Sequence, residues 1–203
     1  MAFSAPGCSR TLDFNPMNGP VVDSRTFRIG FLAALETDDG AFVAGLLVTN
    51  RYGRPLEFQC TSPVRPTHAQ KLLYGETLRP FLLGELMGRA LLDRLGSPPD
   101  LLVTDNDDIL DLRHHIAIPM ARVEPLADEA GSATTAPPLG RVRMGRRILS
   151  IHSAHETDIA ALHHGATQVT AETDLQEPLE RVRQALAETL QGQQTGNPGG
   201  PRS

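Results

Sequence analysis

The sequence predicts an α/β fold built on a mixed sheet: an N-terminal three-stranded antiparallel meander, a long packing helix, then a β-α-β unit and C-terminal helices. Three observations predict it. Residues 27–35 and 42–49 are nearly continuous apolar runs separated by the turn-forming Thr37, Asp38, Asp39 and Gly40, the pattern of a hairpin buried on both faces. Residues 56–61 alternate apolar and polar, as a strand with one wet face does. From Leu78 to Leu95 the apolar positions Phe81, Leu82, Leu86, Ala90 and Leu91 recur at helical spacing.

Taken in order, residues 1–24 carry Pro6, Pro16, Gly19 and Pro20 and read as a flexible arm, ahead of a single domain over 25–190. Gly30 and Gly45 lie inside the first two strands, where a helix can pack closely on the sheet. Pro63 and Pro66 end the third strand, and a short helix follows over 68–74. Thr77 is placed to cap the long helix, with Pro80 tolerated where an N–H has no intrahelical partner. Gly84 and Gly88, four apart, give that helix a face for close approach, and residues 96–99 (Gly-Ser-Pro-Pro) stop it. Residues 101–104 read as a short buried strand, 105–112 as a turn or one or two helical turns, and 115–119 as another strand. Residues 125–146 lose periodicity and read as a mobile insertion. A strand is expected over 147–152, then a helix capped by Ser153 and Glu156 and ending at Gly165. A last helix begins near Asp174 with the apolar stripe Leu175, Leu179, Val182, Leu186 and Leu190, and residues 191–203 read as a disordered tail.

Composition narrows function. Aromatic residues are 4% of the chain with no Trp, so the core is aliphatic and offers few stacking platforms for bases. A net charge of -5 gives no electrostatic footprint for nucleic acid, and Arg141, Arg143, Arg146 and Arg147 form the one basic cluster. Cys8 and Cys60 make neither a disulfide framework nor a metal set, and Cys60 reads as a small buried hydrophobe. The N-terminus lacks a secretory pattern and no window reaches membrane-spanning length, which predicts a soluble cytoplasmic protein.

Two groups of residues could carry chemistry. Asp105 and Asp107 follow a buried strand, where open α/β sheets gather ligands and metals; alternatively Asp105 or Asn106 caps the next helix. An EF-hand is excluded, since Leu110 stands where that loop needs Gly. Histidines come in pairs, His114 with His115, His152 with His155 and His163 with His164; His152 and His155 are metal candidates without the order of a zinc-protease helix. No nucleophile-elbow, P-loop or dinucleotide motif occurs.

The element order over residues 27–123 resembles the ribonuclease H-like arrangement. That resemblance implies acids on the first strand, the first long helix and the end of the fourth strand, together holding divalent ions. Glu85 falls on the helix and Asp105 at the fourth strand's end, whereas the first strand has no acid before Glu36. The leading expectation is therefore a non-catalytic module without a cofactor. It binds another protein or itself through Leu179, Val182, Leu186 and Leu190, with nucleic acid disfavoured. The alternative is a divalent-metal phosphodiesterase or nuclease using Glu36, Glu85, Asp105 and Asp107.

Overall fold

The structure, a computed structural model, describes residues 27–125 and 140–195. The arm over 1–24, most of the stretch read as an insertion and the end of the tail lie outside the described residues. Among the described residues seven strands form one mixed sheet in the order β3-β2-β1-β4-β5-β7-β6. The meander is β1 (Arg28–Glu36), β2 (Phe42–Asn50) and β3 (Pro55–Cys60), each antiparallel to its neighbour. β4 (Leu101–Thr104) runs parallel to β1 and β5 (Met120–Val123) parallel to β4; β7 (Arg147–Ile151) and β6 (Arg141–Met144) add antiparallel strands beyond. The α/β class, the mixed sheet and the antiparallel meander that opens it are those expected from the sequence.

Helices cover both faces because β1 and β2 are apolar on both. On one face α4 (Asp158–Gln168) and α5 (Glu177–Thr195) bury Leu162, Leu179, Val182 and Leu186 against Ile29, Phe31, Leu47 and Val103. Each such side chain stabilises the fold by about 1.5–3 kcal/mol relative to leaving it exposed. Gly45 makes this contact possible, since a Cβ there would stand 2.9 Å from Val182 Cγ1. On the other face lie α2, which runs as wide π turns over Pro80–Gly88 and closes in the α-helical turn Arg89–Leu92, and α3 (Asp107–Leu110), extended by a 3-10 turn, Asp111–His115. Leu82, Leu83, Met87, Leu91, Ile109 and Leu112 there meet Leu32, Leu46, Leu102 and Met120. At Gly84 a Cβ would lie 3.2 Å from both Asp108 O and Leu112 N, so α2 rests on the backbone of the α3 segment.

Several expectations are corrected. α1 (His68–Tyr74) forms where expected, and Thr67 supplies a capping box with Gln70, but Thr77 does not cap α2: it ends a 3-10 turn and its hydroxyl donates to Tyr74 O at 2.8 Å. The strand expected over 115–119 begins instead at Met120, because the parallel ladder with β4 pairs Leu102 with Met120. α4 starts at Asp158 rather than after a Ser153–Glu156 box: its N-cap is Thr157, whose side chain makes no capping bond, and the Asp158 carboxylate pairs with Arg113. Residues 141–144, inside the expected insertion, alternate exposed Arg with buried Val142 and Met144 and so form β6. α5 continues to Thr195, into the expected tail. The stripe Leu179, Val182, Leu186 and Leu190 covers this chain's own sheet, so it is not a surface for a partner. Among the described residues no helix is long and apolar enough to cross a membrane.

Candidate metal centre

Three chain segments converge where β5 begins and β7 ends. His114 lies on the 3-10 turn that leads toward β5, His152 directly follows β7, and His155 stands in the turn that opens α4. The turn is closed by His155 N–H donating to His152 O at 2.9 Å and Asp158 N–H donating to His155 O at 3.0 Å. One ring nitrogen from each of the three imidazoles lies within 4.8 Å of the others, and among the described residues no other group of three His, Cys, Asp or Glu meets that test. Ring centroids stand 4.4 Å apart for His114 and His152 and 4.9 Å for His114 and His155; His155 Nε2 is 3.2 Å from His114 Nδ1.

A buried ion pair holds these segments together. Arg113, adjacent to His114, donates through Nε to Asp158 Oδ2 at 2.6 Å and through Nη2 to Oδ1 at 2.9 Å; Met120 N–H donates to Oδ2 at 3.2 Å. Burial works to raise the Asp158 carboxyl, but the hydrogen bonds from Arg113 and Met120 outweigh it and hold the group below the usual carboxylate range. Hydrogen bonding to Asp158 raises the Arg113 guanidinium in turn. Burial, then the charge of Arg113, holds His155 below 6.5, favouring the neutral ring a metal needs.

The donor set fits a borderline-soft divalent ion such as zinc. Tetrahedral zinc with bonds of about 2.0–2.1 Å keeps its ligand nitrogens about 3.3 Å apart. The His114 and His155 nitrogens already stand 3.2 Å apart. Three imidazoles leave a position open, as catalytic zinc sites do, and suit magnesium poorly. His152 Nδ1 accepts from Ala154 N–H at 3.1 Å, which puts the ring proton on Nε2, facing Asp111 Oδ1 at 3.4 Å; ligation through either nitrogen therefore requires one of these two contacts to be given up. Asp111 therefore enters the site as a counter-charge to His152, a role the sequence did not single out. The pairing of His114 with His152 and His155 was also missed, because 41 residues separate His114 from His155.

The acids follow a different logic. Glu36 and Asp105 end the parallel strands β1 and β4, at the sheet edge opposite the histidines, and each is held by a base. Arg79 reaches Glu36 at 2.7 Å and Asp108 at 2.9 Å; Arg122 reaches Asp107 at 3.1 Å. Asp105 pairs with Arg183 and accepts from Gln176 Nε2 at 2.9 Å, and Glu85 faces His115 Nε2 at 3.8 Å. Asn106, rather than Asp105, caps α3 by accepting from Asp108 N–H at 2.8 Å. His164 meets Phe27 edge-on in the middle of α4. Of the basic cluster, Arg141 pairs with Glu124, Arg146 with Glu172 and Arg147 with Asp174, while Arg143 is exposed.

Among solved structures, this fold is similar to that of endonuclease V. The human enzyme aligns at a TM-score of 0.48 and 16% identity over 84% of this chain and 87% of that one. The catalytic domain of the human enzyme gives 0.42 and 16% over 82% and 85%. Endonuclease V of Ciona intestinalis, in complex with a DNA containing an inosine followed by a ribo-adenosine, gives 0.41 and 11% over 82% and 88%. Identities this low mark a likeness of fold alone. No family model matches the chain, and no curated protein matches it.

These findings correct the leading expectation. A module without catalysis or cofactor does not accord with three converging imidazoles able to hold a divalent ion. Binding to another protein or to itself loses its proposed surface, since the α5 stripe is buried. The expectation that disfavours nucleic acid meets a contrary finding in a structure of similar fold: the Ciona intestinalis endonuclease V structure is a complex with DNA.

Proposed function

We propose that this chain is a divalent-metal-dependent phosphodiesterase acting on nucleic acid, with the metal held by His114, His152 and His155. The observation that carries the reading is the convergence of those three imidazoles within 4.8 Å. Held by these three residues, a metal would supply Lewis acidity toward a phosphoryl oxygen and lower the pKa of water near neutral pH. The chain's own residues supply the rest. Asp111 sets a carboxylate beside His152, and the Arg113–Asp158 pair fixes the two turns that carry His114 and His155. In this reading Glu36, Glu85, Asp105 and Asp107 stabilise the fold rather than ligate metal. Activity is assigned to the cytoplasm, where the buried thiol of Cys60 stays reduced.

Two measurements test this. Cobalt titration, read by visible absorption, should give one site per chain that His155→Ala abolishes. Cleavage of bis(p-nitrophenyl) phosphate and of DNA oligomers with and without inosine should require added zinc, cobalt or manganese. His114→Ala or His152→Ala should reduce the rate by about 100-fold or more. Cleavage that survives loss of all three histidines but disappears in Asp105→Asn would move the centre to the opposite edge and sink the proposal.

A further inference from the structure

We propose that a second site, separate from the histidines, binds a small monocarboxylate with an apolar body. A cavity of about 320 Å³ lies between the β1–β2 face, the turn after β2 and the start of α5. That volume is at the lower end of small-molecule pockets, which are mostly apolar with a few placed polar groups. Ile29, Phe31 and Leu175 supply its apolar floor.

Two observations define the ligand. Thr49 lines the cavity, is 1% exposed, and its Oγ1 has no hydrogen-bond partner. Thr49 pairs across the ladder with Ile29, so its side chain stands on the same face as that floor residue. A buried hydroxyl left unpaired is costly, and native folds keep one where a water, ion or ligand completes it. The second observation is charge. The two lining acids are neutralised: Asp174 by Arg147 at 2.9 Å and Glu177 by Arg181 at 2.9 Å. Among the described residues Arg51, at the mouth, donates to one side chain, the Tyr52 hydroxyl at 2.6 Å, and pairs with no carboxylate. The wall therefore carries one uncompensated positive charge above an unmet hydrogen-bond donor. A carboxylate satisfies both, with its apolar body on the floor.

The test uses the full chain with sodium benzoate and sodium hexanoate as probes and benzamide as the uncharged control, followed by saturation-transfer NMR. Benzoate or hexanoate should bind the wild type in the millimolar range. Thr49→Val, which keeps the side-chain shape, and Arg51→Gln should each weaken binding about tenfold, the loss of one charge-assisted hydrogen bond. Thr49→Ser should restore it, and benzamide should not distinguish wild type from Arg51→Gln. Thermal unfolding checks that the variants fold; Arg51 lies on an exposed turn, so its variant keeps the test valid should Thr49→Val misfold. Absence of binding by both carboxylates, or equal binding by all variants, overturns the proposal and leaves a cavity filled by water.

Discussion

Replacing Asp158 by Ala removes the carboxylate that three donors share. The side chain is 3% exposed and its partner Arg113 13% exposed, so the variant leaves a guanidinium buried without its counter-ion and deprives Met120 N–H of its acceptor. Breaking a buried pair from one side costs about 3–5 kcal/mol, mostly the desolvation of the charge left behind. Urea unfolding at pH 7 should show a loss of this size with an unchanged slope. The pH dependence has a definite sign. The folded carboxyl is held below its ordinary value of 3.8, so its contribution is complete above that value and is lost as pH falls through the lower folded value. The gap between wild type and variant should therefore narrow as pH drops from about 5 toward 2. Because Arg113 adjoins His114 and Asp158 helps seat the turn of His155, cobalt affinity should fall in the same variant. A loss below about 1 kcal/mol, or a gap that stays constant with pH, would show that the pair does not hold these segments.

Other outcomes follow from single contacts. Gly84→Ala places a Cβ 3.2 Å from two backbone atoms of the α3 segment, so it should destabilise by about 1–3 kcal/mol and weaken cobalt binding by shifting His114; thermal unfolding and cobalt titration read both. Gly145→Ala should cost more, since its φ is +60° and a Cβ would meet Thr173 O at 2.1 Å; expression and circular dichroism check it. His155 is held below 6.5 in the fold, so the unfolded chain takes up its proton first and wild-type stability should decline as pH falls below 6.5, a decline that His155→Gln should reduce in denaturant titrations. Zinc at about 100 times its dissociation constant should add about 2.7 kcal/mol to stability, and a chelator should reverse the gain.

The sheet was legible where local pattern and tertiary role agree. β1 and β2 read as central strands because both faces are apolar, and each is buried against helices on both sides. α5 read from its stripe, although the sequence could not say whether Leu179, Val182 and Leu186 meet the same chain or another. Boundaries failed where long-range partners decide them. Ile116 and Ile118 favour extended backbone, yet the ladder with β4 starts one residue after Pro119. Ser153 and Glu156 offer a local cap, yet Asp158 is recruited by Arg113, 45 residues earlier, and α4 begins there. β6 was hidden because Arg-Val-Arg-Met alternates over four residues only, beside a Gly- and Pro-rich stretch.

The same distinction separates the two charged edges of the sheet. Acids after β1 and β4 are conspicuous in sequence because Asp105, Asp107 and Asp108 are neighbours, but conspicuous carboxylates are not free ones. Hydrogen bonds that Arg79 donates to Asp108 and then to Glu36 raise its guanidinium, so that base stays charged between them. Arg122 pairs with Asp107, and Arg183 with Asp105. A divalent ion at that edge would have to displace arginines whose charge is already matched by these carboxylates. At the opposite edge the candidate ligands are imidazoles, and the strong pair Arg113 with Asp158 supports the turns without occupying the ring nitrogens of His114 and His155. The edge with fewer acids is therefore the one where a cation meets the smaller electrostatic barrier, and residues distant in sequence build it only once β5 and β7 are paired.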